Sequence, residues 1–392
     1  MANETGVTSS SRRRSTRVWT MGVTAALAAT ALVAPGPATA LPIPALPIPA
    51  LPQIQLPSNG SLGTVDGGDN GSGNGNVPPV IPETPSTTLP YLVGARASYT
   101  GNVERMLGAT GDASLKARLQ DLLKTPVAQW VGGDGVPEVT RLVAEGTAKS
   151  SVPVIALYHI PDRDLGSHSG GGAPNAAAYK QWIDQVSGAI GPGKAVIILE
   201  PDALPQTPDL SATKQSERID LLAYALTKLA SNTGVTTYLD AGTAGWRSAT
   251  ATSNLMKQIA NKGASITHVS ANVSNFKSTA ATETYIRDIA TAFGKPLKGM
   301  VDTSRNGGNV TNGEWCNPAA QRLGQLSDVI FTPTSDMEQV FVKTPGESDG
   351  VCGVSQKTAG AFDDALLLLQ LGIAEAQART APSPRRNAAA PR

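Results

Sequence analysis

The 392-residue sequence predicts an α/β fold in which about seven parallel strands form a barrel or near-barrel in a single domain. Two runs, 152–158 and 195–199, are apolar throughout, as expected of strands that are covered on both faces. The run 211–232 instead repeats its apolar residues with the 3.6-residue period of a helix. Strands and helices that alternate at this spacing predict parallel pairing, and about seven strands favour a barrel over an open sheet.

The first segment, residues 1–40, has the pattern of an export signal. Arginines at 12–14 and 17 precede an apolar stretch over about 21–34, and Ala38-Thr39-Ala40 matches a cleavage site. This stretch is too short to span a bilayer comfortably, and prolines close it. We therefore expect a secreted protein, free or associated with the cell wall, that has no membrane partner once the signal is removed.

Two further segments are predicted to lie outside the folded domain. Residues 41–89 begin with a repeated LPIPA unit and continue through a glycine-rich stretch, a composition typical of a stiff and then flexible linker. Residues 379–392 consist largely of Ala, Pro and Arg and are predicted to be a disordered tail. The folded domain is therefore predicted to span 90–378.

Within this domain the elements follow one another in regular alternation. The predicted strands are 152–158, 195–199, 235–239, 266–269, 299–302, 328–331 and 340–343. The predicted helices are 176–190, 211–232, 249–261, 282–293 and 360–378.

Composition excludes several classes of function. A formal net charge of +1 provides no basic excess with which to displace counterions from nucleic acid. Three His and two scattered Cys do not supply the ligands of a tetrahedral zinc site. We therefore expect no nucleic-acid partner, no metal and no cofactor, and a chain that works as a monomer.

Acidic residues cluster just after the predicted strands. They are Asp162, Asp164, Glu200, Asp202, Asp240, Asp302, Glu347 and Asp349. Any one of them fits a helix cap equally well, because Asp favours such positions. In a parallel barrel, however, the carboxyl ends of the strands converge on one face, where active sites are built. As a set, the acids therefore predict a carboxylate-lined cleft.

Carboxylates that share a cleft repel one another, so at least one keeps a proton near neutral pH. Glycoside hydrolysis needs that proton for the leaving oxygen, and a second carboxylate to support the attacking water. Sugars also need aromatic platforms, and Tyr158, Trp246 and Trp315 lie at or beside strand ends. Core packing is the usual role of a Trp, but both tryptophans stand in turn-rich sequence.

Seven stretches, in order, resemble glycoside hydrolase family 6, the endoglucanases and cellobiohydrolases that act on β-1,4-glucan. They are LYHIPDRDLGSHSGGGA (157–173), VIILEPDALP (196–205), YLDAGTAGW (238–246), NVSNF (272–276), DTSRNG (302–307), EWCNP (314–318) and VKTPGESDGVC (342–352). The resemblance covers essentially all of 90–378. It implies a distorted parallel β/α barrel, an inverting mechanism, a β-glucan substrate and no cofactor.

The resemblance also implies roles for single residues. Asp202 of EPDAL resembles the general acid, and Asp164 of PDRD resembles the partner that raises the pKa of this acid and helps to organise the attacking water. Asp349 of GESDG resembles the remaining carboxylate, which is sometimes proposed as the base. The predicted substrate-binding residues are Tyr158, Asp240, Trp246, Asn272, Trp315, Lys343 and Glu347. Cys316 and Cys352 match a disulfide of the family, in keeping with an exported chain.

The sequence departs from the family pattern at Leu165, where a cysteine is usual, and at Thr243, where His or Asn is common. Two alternatives remain. The G-x-S-x-G pattern at 346–350 is typical of serine hydrolases, but no His follows His268, as that fold requires. A secreted protein that binds glucan without cutting it would use the same groove. The short spacing between Cys316 and Cys352 favours an open cleft and endo-acting cleavage.

Overall fold

The fold is built on a curved sheet of parallel strands, which the computed structural model describes over residues 88–167, 169–311 and 313–373. The predicted signal (1–40), the predicted tail (379–392) and residues 41–87 of the predicted linker lie outside these described residues. The strands are β1 (Leu89–Pro90), β2 (Gln129–Val131), β3 (Val154–Leu157), β4 (Ala195–Leu199), β5 (Val235–Asp240), β6 (His268–Ala271), β7 (Lys298–Asp302), β8 (Ile330–Phe331) and β9 (Met337–Val340). The α-helices are α1 (Ala97–Ala109), α2 (Ala113–Lys124), α3 (Val136–Ala148), α4 (Ala176–Ile190), α5 (Ala203–Gln206), α6 (Ala212–Leu229), α7 (Ala249–Ala260), α8 (Thr279–Phe293) and α9 (Asp364–Gln370).

Strands β2 to β7, followed by β9, lie side by side in a seven-stranded sheet of the described residues, and every neighbouring pair is parallel. The two sheet edges approach each other where Val127, before β2, bridges Phe341, after β9. Beside this bridge, the Trp130 indole Nε1 donates to the Val342 carbonyl at 2.8 Å. The sheet therefore curls into an almost closed barrel, which confirms the predicted distorted parallel fold.

Both faces of the strands are covered, which explains why their sequences are apolar throughout. Ile155 and Ile197 point outward into a core shared with the surrounding helices. Val154 and Val196, one residue earlier in each strand, point into the barrel interior with Tyr238 of β5. Because successive side chains alternate between faces, a strand between two cores needs apolar residues at every position.

Polar caps set the start of several helices. The side chains of Asn175, Ser248 and Ser278 accept hydrogen bonds from backbone amides in the first turns of α4, α7 and α8. The Ser278 cap places the start of α8 three residues earlier than the apolar pattern predicts. No helix of the described residues has the length and apolar character needed to cross a membrane.

The structure differs from three of the predicted elements. The run 328–331 does not join the main sheet, because β8 pairs antiparallel with β1 instead. The last strand of the barrel, β9, precedes the predicted 340–343 run by three residues. The final helix begins at Asp364 rather than at 360, because the Asp363 side chain caps its first turn, and residues 374–378 lie outside the described part.

The sequence pattern also misses β2. This strand has three residues, and two of them, Gln129 and Trp130, are half-buried, so it lacks the apolar run that marks the other strands. Its pairing with β3 places it at the edge of the sheet, where it completes the seven strands.

Candidate active site

The carboxyl ends of the strands form one face of the barrel. Three buried acids at this face accept hydrogen bonds from backbone amides of the loops. Glu200, directly after β4, has no exposed surface and accepts hydrogen bonds from the amides of His159 and Ile160 at 2.9 and 3.0 Å. Burial raises the pKa of Glu200 to about 7, against the pull of these amides. Glu200 therefore fixes the chain that leaves β3.

Asp240, at the end of β5, acts in the same way on the neighbouring strand. Its Oδ1 accepts from the amides of Asp202 and Gly242 at 2.9 and 3.0 Å, and its Oδ2 accepts from Ser270 Oγ at 3.2 Å. Burial, together with the charge of Asp202, raises its pKa well above the ordinary range. The sequence predicts Asp240 as a substrate contact, but its side chain is fully buried beneath Asp202.

Asp302, at the end of β7, connects the ends of three strands. One oxygen accepts from the amides of Ser304 and Val342 at 2.9 and 3.2 Å, and the other from Ser274 and Lys343, both at 2.9 Å. The carboxyl group is buried, which raises its pKa in spite of the four donors. The Asp302 carboxylate thus connects the loops after β6, β7 and β9.

Asp202 stands above Asp240 and is half-buried. Its backbone lies in the left-handed region at φ 69°, which is uncommon for a residue other than glycine and is found at strained functional positions. Burial, and then the negative charge of Asp164, raise the pKa of Asp202 to about 7, while Arg305 opposes this. Asp202 therefore carries a proton through much of the neutral range.

Asp164 lies in the loop that follows β3, also at positive φ (53°), and is half-buried. Its Oδ2 accepts from the Ser169 amide at 2.8 Å, and Gln206 Nε2 lies 3.5 Å from its Oδ1. The loop itself is held by Arg163, whose side chain donates to the carbonyls of Tyr158 and Ser169. The fold thereby brings Asp164 into electrostatic contact with Asp202 from a different strand.

Asp349 lies in the loop after β9 and is paired with two cations. Arg305 NH1 is 2.6 Å from its Oδ2, and Lys343 Nζ is 3.4 Å from its Oδ1. It also exchanges hydrogen bonds with Asn317, through the two backbone amides. Burial alone would raise the pKa of Asp349, but Arg305 and Lys343 hold it below the ordinary value. Asp349 is therefore ionised and weakly basic.

Arg305 is a residue of this site that sequence reasoning did not single out. Its side chain is 1% exposed, and its guanidinium lies 4.4 Å from the centre of the Phe276 ring. It donates to the Ser274 carbonyl as well as to Asp349. The signal in the sequence was the arginine of DTSRNG, three residues after a strand-end aspartate.

Aromatic rings flank the acids. Tyr158, after β3, is half-buried. Its ring makes an edge contact with Trp130, with ring centres 5.3 Å apart, and the Arg163 guanidinium lies 4.6 Å from its centre. The charges of Asp202 and Asp164 both act on its hydroxyl, which places the ring beside them. Trp246 is half-buried after β5, and Trp315 is 52% exposed. Both tryptophans therefore keep accessible ring surface, as a stacking platform requires.

The predicted disulfide is confirmed. Cys316 and Cys352 are bonded, with their Cα atoms 6.0 Å apart. The bond joins the loop that carries Trp315 to the loop that carries Asp349, so that these two side chains lie on loops that are covalently connected.

The remaining predicted substrate-binding residues divide into two groups. Lys343 and Glu347 lie near Asp349, and Lys343 Nζ is 3.1 Å from Glu347 Oε1. Asn272 is fully buried instead: its Oδ1 accepts from Thr243 Oγ1 at 3.1 Å, and its Nδ2 donates to the Asp302 carbonyl at 2.9 Å. In this structure Asn272 therefore connects the loops after β5 and β7.

The described residues contain no group of three or more His, Cys, Asp or Glu side chains that could hold a metal ion. The site combines a protonated acid beside a second carboxylate with an ionised carboxylate that is paired with two cations. Exposed aromatic surface lies in the loops of the same face. On a parallel barrel, this arrangement defines the class of glycoside hydrolases.

The family follows from comparison with known proteins. The model of the family "Glycosyl hydrolases family 6" matches residues 92–366, most of the chain. The chain belongs to this family and is a glycosidase, as the sequence resemblance indicated.

Two bacterial endoglucanases are similar to more than half of this chain. Endoglucanase A of Cellulomonas fimi is 38% identical over 60% of this chain, which spans about half (52%) of that protein. Endoglucanase 1 of Streptomyces halstedii is 37% identical over 64% of this chain and 80% of its own length. Among solved structures, the endoglucanase Cel6 of Mycobacterium tuberculosis, in complex with a thio-linked cellobioside, is 31% identical with a TM-score of 0.64. That similarity covers 73% of this chain and 98% of the Mycobacterium chain.

Proposed function

We propose that this protein is a secreted, inverting endo-β-1,4-glucanase in which Asp202 donates the proton to the glycosidic oxygen. The observation that carries the proposal is the position of Asp202. Burial and the neighbouring Asp164 raise its pKa to about 7, and the Asp240 carboxylate fixes its backbone. An acid that is protonated near neutrality can release its proton as the leaving oxygen gains charge.

The other carboxylates support the attack of water. Asp164 keeps the proton on Asp202 and is available to orient the water, since its Oδ1 faces only the distant amide of Gln206 among the described side chains. Asp349 is held ionised by Arg305 and Lys343, so its part is to stabilise positive charge on the sugar ring rather than to take up a proton. An inverting mechanism needs room for this water between acid and carboxylate.

Sugar binding falls to the aromatic and polar groups around the acids. Tyr158 lies beside the ring at the cleavage point, and Trp246 and Trp315 offer stacking surface on either side. Lys343 and Glu347 keep 11% and 12% of their side chains exposed and supply hydrogen-bonding partners for hydroxyl groups.

Endo-acting cleavage is supported by the open surroundings of the cleft. The disulfide partners are 36 positions apart, which leaves little chain for a loop that would roof the cleft, and Trp315 is exposed. The names of the Cellulomonas and Streptomyces relatives, both endoglucanases, point the same way. The substrate we propose is soluble or amorphous β-1,4-glucan.

The test is the release of reducing ends from carboxymethyl-cellulose and mixed-linkage glucan by the wild type and by Asp202→Asn. We expect the variant to lose activity by roughly 10²–10⁴-fold with unchanged folding, because the proton donor is gone. Asp220→Asn on α6, whose carboxylate pairs with Lys262 at the surface, is the matched control.

Three results would contradict the proposal. Near-normal hydrolysis by Asp202→Asn removes this residue from the acid role. A wild type that is retarded by glucan in a native gel but releases no reducing ends is a glucan-binding protein instead. A slow fall in viscosity relative to reducing ends contradicts endo-acting cleavage, and a β-anomeric first product, observed by NMR, contradicts inversion.

A further inference from the structure

Arg96 is a half-buried cation that lies far in sequence from the acids and has no assigned role. It precedes α1, and its guanidinium forms an ion pair with Glu347, where the two side chains are 17% and 12% exposed. The backbone on both sides is held firmly. Arg141 donates to the Ala95 carbonyl at 2.9 Å, and the Thr100 amide donates to the Arg96 carbonyl at 3.1 Å. The backbone of Arg96 is therefore fixed, which limits the positions that its guanidinium can take.

The pair with Glu347 is the first link of a chain of alternating charges that passes through Lys343 and Asp349 and ends at Arg305. Glu347 Oε1 lies 3.1 Å from Lys343 Nζ, which in turn lies 3.4 Å from Asp349 Oδ1. Asp349 Oδ2 is 2.6 Å from Arg305 NH1. This ion-pair chain thus joins three cations and two carboxylates, all of them largely buried.

Lys343 occupies the critical position in the ion-pair chain. Its ammonium is a compact charge on a flexible stem, so its place depends on the competition between Glu347 and Asp349. Arg96 satisfies one oxygen of Glu347 and thereby weakens the pull of Glu347 on Lys343. Without Arg96, the ammonium would move toward the unpaired carboxylate and away from Asp349.

We propose that Arg96 is a positioning residue for sugar binding, which holds Glu347 in place and keeps the Lys343 ammonium shared between Glu347 and Asp349. The inference rests on the proposed function, in which Lys343 and Glu347 contact sugar hydroxyls. Arg96 does not touch the reacting atoms. It acts through the orientation and charge of the two residues that do contact the sugar.

The test replaces Arg96 in the full-length protein by Gln and, conservatively, by Lys. For Arg96→Gln we expect KM on cello-oligosaccharides, and the Kd for cellotetraose by calorimetry, to rise roughly tenfold, as for the loss of one charge-assisted contact. The value of kcat should change less. The acid limb of the kcat/KM profile should move to higher pH, because Asp349 loses part of the cationic field of Lys343 while keeping Arg305. Arg96→Lys should recover most of the affinity.

Arg105→Gln is the matched control, since this arginine lies on α1, which follows Arg96, and pairs with Asp364 in a half-exposed position. It should leave KM and the pH profile unchanged. If Arg96→Gln lowers only the melting temperature and leaves KM, Kd and the acid limb as in the wild type, Arg96 is a structural tether and the inference is wrong. A wild type that neither hydrolyses nor binds β-glucan contradicts the proposed function itself, whatever the variants do.

Discussion

Asp202 and Asp349 show how the surroundings give one side-chain type opposite properties. Asp202 faces Asp164 and rests on Asp240, so burial and like charge favour its protonated form. Asp349 is also buried, but Arg305 and Lys343 outweigh that burial and favour its ionised form. A site that hydrolyses glycosides needs both states at one pH, and this pair supplies them.

The first prediction concerns the pH dependence of Asp164→Asn. The proposed mechanism requires the protonated form of Asp202, so wild-type kcat/KM should fall as the pH rises through about 7. Removal of the Asp164 charge lowers the pKa of Asp202, so this fall should begin at lower pH, by about one unit. We also expect kcat to drop by roughly 10²-fold through loss of the group that orients the water. Initial rates between pH 4 and 9 measure both effects, and an unmoved basic limb would count against the coupling.

At the scale of the elements, buried acids at the strand ends connect neighbouring strands. Three buried acids lie at or directly after the ends of β4, β5 and β7: Glu200, Asp240 and Asp302. Each accepts a hydrogen bond from a backbone amide in the loop after an adjacent strand. These carboxylates determine where the loops that carry Asp202 and Lys343 begin.

Asp302→Ala tests the structural role of these links. Four backbone amides, of Ser274, Ser304, Val342 and Lys343, would lose their acceptor, and water would restore only part of the bonding. We expect the free energy of unfolding to fall by about 3 kcal/mol. Denaturant unfolding measures this change. The control Asp336→Ala removes an almost fully exposed carboxylate and should cost less than about 0.5 kcal/mol. Equal losses for the two variants would contradict the role of Asp302.

The disulfide connects two loops of the same face. Replacement of Cys316 and Cys352 by serine should reduce the free energy of unfolding by roughly 3–4 kcal/mol, the chain-entropy value for a loop of this length. KM should rise as well, since the Trp315 platform and the Asp349 loop lose their common support. Calorimetric melting and steady-state kinetics measure the two effects. A change in stability alone would mean that the loops keep their positions without the bond.

At the scale of the whole molecule, a further buried acid connects parts of the chain that are far apart in sequence. Glu338 of β9 is 2% exposed, and it accepts from the Tyr91 hydroxyl at 3.2 Å and from the Thr332 amide at 3.3 Å. Burial and the charge of Asp328 raise its pKa to about 7. Tyr91 follows β1, so this contact joins the first described strand to the last strand of the barrel.

This geometry predicts a stability that depends on pH. Because ionisation of Glu338 is harder in the folded state, its contribution is complete below about pH 4.5, its ordinary pKa, and is lost as the pH rises through about 7. The loss between pH 5 and 8 should be on the order of 2 kcal/mol. Glu338→Gln should remove only this contribution from the pH dependence of urea unfolding, because Glu200 and Asp202, whose pKa values are also raised to about 7, keep theirs. Glu283→Gln, on the surface of α8, should leave the slope unchanged.

Much of the site could be predicted from sequence because the motifs are local. EPDAL after an apolar strand indicated Asp202, and the spacing of acids after strands indicated the face of the barrel on which they meet. The same pattern could not separate Asp240 from Asp202, since both are aspartates at strand ends. Only packing shows that one is fully buried and the other faces the cleft.

The sequence alone determined the parallel α/β architecture, the family and the candidate acids, because periodicity and short motifs depend on neighbouring residues. The tertiary structure decided the charge state and partner of each acid, because these depend on residues far apart in the chain. Arg96 and Glu347, separated by 251 positions, form an ion pair that no local pattern indicates. Burial and such distant charges determine which carboxylate keeps its proton, and they exist only in the folded barrel.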